Sequence, residues 1–236
     1  MTIEQNVLDL KARIRQAALE AGRDPDSICL CAATKMNDAK AVQRAIVAGV
    51  DCCGENKVQE LTQKLAQNAY EGAPVHFIGH LQTNKVKYVV GKVDLIQSVD
   101  SKRLLEAIEK EAIKQGCIQD VLLEVNIASE PSKSGFSVAE LYEILEQMSA
   151  FSNIRVRGLM AIPPKTEKST DNHNFFQEMY NLSVDITTKK YDNVWVEILS
   201  MGMSDDFADA IACGSTMVRV GTAIFGARNY VNTHHQ

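Results

Sequence analysis

The sequence of 236 residues is short of positive charge, with 25 Lys and Arg against 30 Asp and Glu and a formal net charge of −5. A mildly acidic chain is a poor coat for nucleic acid or an anionic membrane. No apolar run approaches the roughly 20 residues needed to span a bilayer. The opening Met1-Thr-Ile-Glu-Gln-Asn has neither the basic region nor the apolar stretch of a signal peptide. Six cysteines are present, Cys29, Cys31, Cys52, Cys53, Cys117 and Cys213, without a CxxC pair or a metal-ligand spacing. Four of them sit in apolar strand-like runs, where a thiol behaves as a small hydrophobe, so no metal site is expected. This usage points to a reducing, cytoplasmic setting. No Pro/Ser-rich linker divides the chain, and a single domain over residues 1–236 is expected, with a frayed tail at 230–236.

What is present is globular. Hydrophobic residues make up 45% and charged residues 23% of the chain, and its length allows a core that needs no disulfide or metal staple. Residues 2–21 carry Ile3, Val7, Leu10, Ile14, Ala17 and Ala18 on one helical stripe, ended by Gly22. The run Ile28-Cys-Leu-Cys-Ala-Ala is then continuously apolar, as a strand buried on both faces requires. Helix and strand patterns alternate from there. Helices are expected at 38–48, 56–69, near 83–89, and at 101–115, 137–150, 171–189 and 205–212. Between them the strands begin at Val50, Val75, Val93, Val121, Ile154, Val194 and Thr216. Ser101 is a candidate cap, and Ser137 with Glu140 fits a capping box. Only 162–170 reads as an extended mobile loop.

About eight strands in alternation with helices predict an α/β fold of the TIM-type (β/α)8 barrel class, with an extra N-terminal helix. The competing doubly wound sheet would place a glycine-rich turn after the first strand, where this chain has Thr34-Lys35.

Barrel chemistry sits at the carboxyl ends of the strands. Those ends carry Lys35, Glu55-Asn56, Gly79-His80, Ser98, Asn126, Met160, Ser200 and Gly221-Thr222. By its local sequence alone Lys35 reads as a lysine snorkelling to solvent or paired with Glu55. Desolvated at the barrel mouth, it would instead be a nucleophile toward carbonyls. The loops after the seventh and eighth strands, Leu199-Ser-Met-Gly-Met-Ser-Asp-Asp and Gly214 through Gly226, shift the reading. Barrels commonly hold phosphate there. Gly202 and Gly221 would let the backbone approach an anion, and Ser200 and Thr222 would add hydroxyl donors. Arg219, inside the apolar Val218-Arg-Val220, needs a partner, with Glu55 or Glu124 as the ordinary candidates. An amine, a phosphate cradle and an inward arginine together suggest an aldehyde cofactor that carries a phosphate.

At these residues the chain resembles the pyridoxal phosphate homeostasis protein family (YggS-like, also called proline synthetase co-transcribed protein). The resemblance rests on Thr34-Lys35, Gly54-Glu-Asn-Lys-Val-Gln-Glu60, His76 through Lys85, Ser98-Val-Asp-Ser101 and Leu123-Glu-Val-Asn126. Lys133-Ser-Gly135, Arg157-Gly-Leu-Met160, Leu199 through Asp205 and Gly214 through Gly226 extend it over nearly the whole length. It implies a barrel similar to the N-terminal domain of alanine racemase, with pyridoxal 5′-phosphate as cofactor. Lys35 would be the Schiff-base lysine. Ser200, Met201, Gly221 and Thr222 would cradle the phosphate, Arg219 would face the pyridine nitrogen, and Asn56 would line the pocket. Lys57 departs from the aromatic residue usual after Gly-Glu-Asn. The implied role is a monomeric carrier in cofactor homeostasis, with PLP-dependent apo-enzymes as recipients and no robust catalysis. A racemase or lyase of alanine-racemase type and a cofactor-free, aldolase-like barrel are the alternatives.

Overall fold

The computed structural model describes residues 1–128, 134–163 and 171–226. The expected 162–170 loop falls largely outside these residues, as does the 230–236 tail. Eight strands form a closed parallel barrel in chain order: β1 (Cys29–Ala33), β2 (Cys52–Glu55), β3 (Val75–Phe77), β4 (Leu95–Val99), β5 (Gln119–Glu124), β6 (Ile154–Met160), β7 (Val194–Ser200) and β8 (Met217–Val220). β8 returns to β1, with Cys29 opposite Met217 and Cys31 opposite Arg219. Closure leaves no sheet edge to pair with another chain. Around the barrel lie α1 (Ile3–Glu20), α2 (Ala39–Val47), α3 (Val58–Ala66), α4 (Lys102–Gln115), α5 (Val138–Leu145), α6 (Asp171–Lys189), α7 (Phe207–Ala212) and α8 (Thr222–Phe225).

Side-chain alternation divides the strands between two cores. Leu30, Ala32, Cys53, Val75, Phe77, Ile96, Val121, Leu123, Val218 and Val220 face the helical layer. Cys31, Cys52, Ile78 and Met217 form one cluster of the remaining buried residues, and Leu95, Leu122 and Met160 another, with Ile198 packed against both. Each fully buried aliphatic side chain contributes about 1.5–3 kcal/mol relative to exposure. The α1 stripe behaves as read, since Val7, Leu10, Ile14, Ala17 and Ala18 are all buried.

Caps were legible where a hydroxyl stood at the right offset. Ser101 accepts from Leu104 N–H at the start of α4, and Ser137 with Glu140 forms the expected capping box on α5. Elsewhere the boundaries move. The helix expected at 56–69 begins at Val58, because Glu55 continues the strand and Lys57 is extended. The segment at 83–89 is a 3-10 turn, Thr83–Tyr88, and the second half of 137–150 is another, Met148–Ala150. α7 starts at Phe207 rather than 205, since the Asp206 carboxylate takes the Met203 N–H at 2.6 Å and holds that loop in a turn. Among the described residues, no helix is long and apolar enough to cross a membrane.

Candidate functional site

A cleft of about 440 Å³ opens where the chain leaves β1, β7 and β8. Its walls include Lys35, Met36, Met203, Arg219, Gly221 and Thr222. The structure thus brings together four of the seven residues expected in a site: Lys35, Arg219, Gly221 and Thr222.

Lys35 is positioned by its neighbours. Thr34 is fully buried, its N–H bonded to the Gly54 carbonyl at 2.8 Å and its hydroxyl to the Glu55 carboxylate at 3.2 Å. Met36 turns through the left-handed region at φ 62° and donates its N–H to Glu60 at 2.6 Å. Asp38 then caps α2 by accepting from Ala41 N–H. The backbone on both sides of Lys35 is therefore fixed, while its half-buried ammonium has no carboxylate at ion-pair distance among the described residues. The expected alternative partner, Glu55, is otherwise engaged. It is fully buried and accepts from Lys64 at 2.6 Å, from Thr34 and Tyr70, and from the Asn56 N–H at 2.8 Å.

Arg219 is buried on β8, and its partners differ from those expected. One terminal nitrogen donates to the Ser200 carbonyl at 2.8 Å and to the Ser200 hydroxyl at 2.6 Å; the other donates to the Ala161 carbonyl at 2.9 Å. Glu55 is committed elsewhere, and Glu124 acts on Arg219 only through space. Burial pulls the guanidinium below its ordinary value, offset in part by Cys31, Glu124 and Asp206. The charge persists all the same, because the intrinsic value is so high. Glu124 itself is buried, and burial together with the Asp100 charge pushes its carboxyl up to about 7, with Arg219 and His80 opposing.

Ser200 and Met201 stand apart from the cleft walls. The Ser200 hydroxyl accepts from Arg219 and donates to Gln97 Oε1 at 2.7 Å, so it orients the guanidinium. Met201 points into the helical-layer core, and its N–H is held by the Met217 carbonyl at 3.1 Å. Gly202 also serves differently from the reading above. At φ 93°, a Cβ there would come within 2.6 Å of the Ala210 Cβ, so the glycine lets the loop close on α7. At the opposite loop, the Ile224 and Phe225 N–H groups bond the Gly221 carbonyl at 3.0 and 2.9 Å, and Thr222 and Ala223 head α8.

Asn56 follows β2 and is not among the cleft walls, and it carries one informative defect: among the described residues its buried Oδ1 has no hydrogen-bond partner. Gly79 permits this packing, since a Cβ there would lie 2.1 Å from the Asn56 carbonyl oxygen. Met36, Met203 through Asp205, Phe225 and Gly226 line the cleft and were missed as site residues. Most were within reach, because they lie in the two loops already singled out by their Gly and Ser/Thr content.

The barrel and this cleft define a protein of the alanine racemase N-terminal domain class, whose family model matches residues 6–229. Among its relatives, the pyridoxal phosphate homeostasis protein of Pasteurella multocida is 38% identical over 232 residues, 98% of this chain and 99% of that one. That of Aquifex aeolicus is 42% identical over 218 residues, 92% and 95% of the two chains. The chain belongs to the pyridoxal phosphate homeostasis protein family. The structure of PipY from Synechococcus elongatus with PLP bound is similar as well, at 31% identity and a TM-score of 0.83, covering 95% of this chain and 100% of that one. The Pasteurella and Aquifex relatives are named for homeostasis of the cofactor rather than for a reaction.

Proposed function

We propose that this chain binds pyridoxal 5′-phosphate in the cleft, held covalently by Lys35, and serves as a carrier in PLP homeostasis. The observation that carries the reading is the placement of Lys35, without a carboxylate partner, in one cleft with Arg219, Gly221 and Thr222. When bound, the cofactor supplies an aldehyde that condenses reversibly with a primary amine and releases water. The residues present fit such a group. A cleft of this volume suits a small ligand, Thr222 and Ala223 at the head of α8 offer donors to a phosphate, and the orphaned Asn56 Oδ1 waits for a donor. Arg219 brings a buried charge that no carboxylate neutralises at contact distance. Such a cation disfavours a second positive charge on a pyridine nitrogen held nearby, which weakens the ring as an electron sink. This supports a holding role over carbanion chemistry. Names and the bound PLP of similar proteins support the same assignment.

The same reading places the protein in the cytoplasm as a monomer, with PLP-dependent apo-enzymes as recipients. Mass spectrometry after borohydride reduction tests the core of it. The purified protein should be yellow and the fixed adduct should map to Lys35, and Lys35→Ala should lose both colour and adduct. A colourless chain that ignores added PLP would overturn the assignment. Prompt α-proton exchange of alanine in heavy water would overturn the carrier role alone.

A further inference from the structure

Below the cleft, the barrel interior holds a second set of chemically active groups that the proposed cofactor site does not use. β1 contributes Cys29 and Cys31, β2 contributes Cys52, and β3 contributes His76. Parallel register puts Cys31 directly opposite Cys52 and Gly54 opposite His76. The ligand atoms of Cys31, Cys52 and His76 all lie within 4.8 Å of one another, and all three residues are buried. The Cys52 Sγ is 3.5 Å from His76 Nδ1 and 3.7 Å from Cys29 Sγ. A tetrahedral ion with metal–sulfur bonds near 2.3 Å and metal–nitrogen bonds near 2.0–2.1 Å sets its ligands about 3.5 Å (S to N) and about 3.7–3.8 Å (S to S) apart.

We propose that Cys31, Cys52 and His76 form a three-ligand binding site for a thiophilic d10 cation, Zn2+ or Cu+, with Cys29 beside Cys52 at its edge. Sulfur and imidazole donors select such ions over the hard cations that prefer carboxylates. Ile78, Ile198, Ala33 and the Met217 thioether pack around the cluster, Gln97 reaches His76 and Met217, and the Arg219 guanidinium acts on Cys31 from the neighbouring strand. Binding would release the thiol protons of Cys31 and Cys52 to solvent, and the two thiolates would balance a divalent charge. Cys29 begins β1 and is the one partly exposed thiol of the set, so it marks the entry from the amino-terminal end of the barrel.

His76 is already oriented for this role. Its Nδ1 lies 2.9 Å from the Gln97 amide nitrogen, and Gln97 in turn accepts from Ser200, which holds Arg219. A cation on Nδ1 would take the place of Gln97 and release the group that positions the Ser200 hydroxyl. The two sites are thus joined by one hydrogen-bonded chain through the barrel.

The test is anaerobic titration of the full-length, reduced protein with Zn2+ and, separately, with Cu+, each against a chromophoric chelator. Uptake of one equivalent of either ion supports the site and identifies its ion. Co2+ in place of Zn2+ should add thiolate charge-transfer and tetrahedral d–d absorption. Cys52→Ala and His76→Ala should weaken binding by more than the roughly 10–100-fold seen when a residue that only orients a ligand is lost. Cys117→Ala, away from the cluster, should not. Retained far-ultraviolet circular dichroism and retained PLP colour would show that the variants fold. No uptake of either ion by the parent, or equal uptake by parent and Cys52→Ala, would overturn the proposal.

Discussion

Among the described residues, two cations are buried in this barrel, and they are treated in opposite ways. Lys64, on α3, is 5% exposed and lies on the helical side of β2. Its ammonium donates to the Glu55 carboxylate at 2.6 Å and the Thr34 carbonyl at 2.7 Å, with Glu60 at 3.5 Å. Arg219, on β8, is 6% exposed and, among the described residues, hydrogen-bonds only carbonyls and a hydroxyl. The first charge is neutralised where it stands. The second has its hydrogen bonds satisfied while its charge is left open toward the cleft. A buried charge without a counter-charge is costly to keep, so the difference separates a scaffold ion pair from a group held ready for a ligand.

The sharpest way to break this contrast is to remove one partner from each. Glu55→Gln preserves shape and most hydrogen bonds but strands Lys64, and should cost about 3–5 kcal/mol in urea unfolding. Arg219→Met strands no carboxylate and relieves a desolvated cation, so it should stay within about 1.5 kcal/mol of the parent while weakening PLP binding. Equal losses in the two variants would show that Arg219 is scaffold too.

Glu124 offers a smaller, pH-dependent test of the same interior. Its carboxyl is raised from 4.5 to about 7 in the folded chain, first by burial and then by Asp100. Between those values the folded state holds a proton that the unfolded chain has released. Stability from this group is therefore complete below the unfolded value and lost as pH rises toward 7. The whole loss is at most about 3 kcal/mol. Glu124→Gln should flatten that part of the stability–pH curve and be the more stable form above neutrality. An unchanged slope would show that Glu124 titrates normally.

The barrel was legible because continuous apolar runs alternating with helical stripes have few other solutions. Its boundaries were less so, since a single side chain such as Asp206 decides where a turn closes. Within the cleft, Lys35, Gly221 and Thr222 could be read from their positions at strand ends, and Arg219 from a charge set inside an apolar strand. The partners of Arg219 could not. They are carbonyls at Ser200 and Ala161, and a carbonyl belongs to every residue type. Likewise the spacing of Cys31, Cys52 and His76 along the chain carries no metal pattern, because adjacent strands of the closed barrel, and no local motif, bring them together.

Asn56 gives the smallest and most selective prediction, because its defect is visible only without a ligand. A buried oxygen with no donor costs free energy in the unloaded chain, and removing it relieves that cost while losing little packing. Asn56→Ala should therefore leave the unloaded protein within about 0.5 kcal/mol of the parent, or slightly more stable. If the bound cofactor or its water supplies the missing donor, the same change should weaken PLP binding about tenfold, which is about 1.4 kcal/mol. The comparison to make is thermal unfolding of parent and variant with and without PLP. A variant destabilised equally in both states would make Asn56 a packing residue, and the orphaned oxygen would then say nothing about the site.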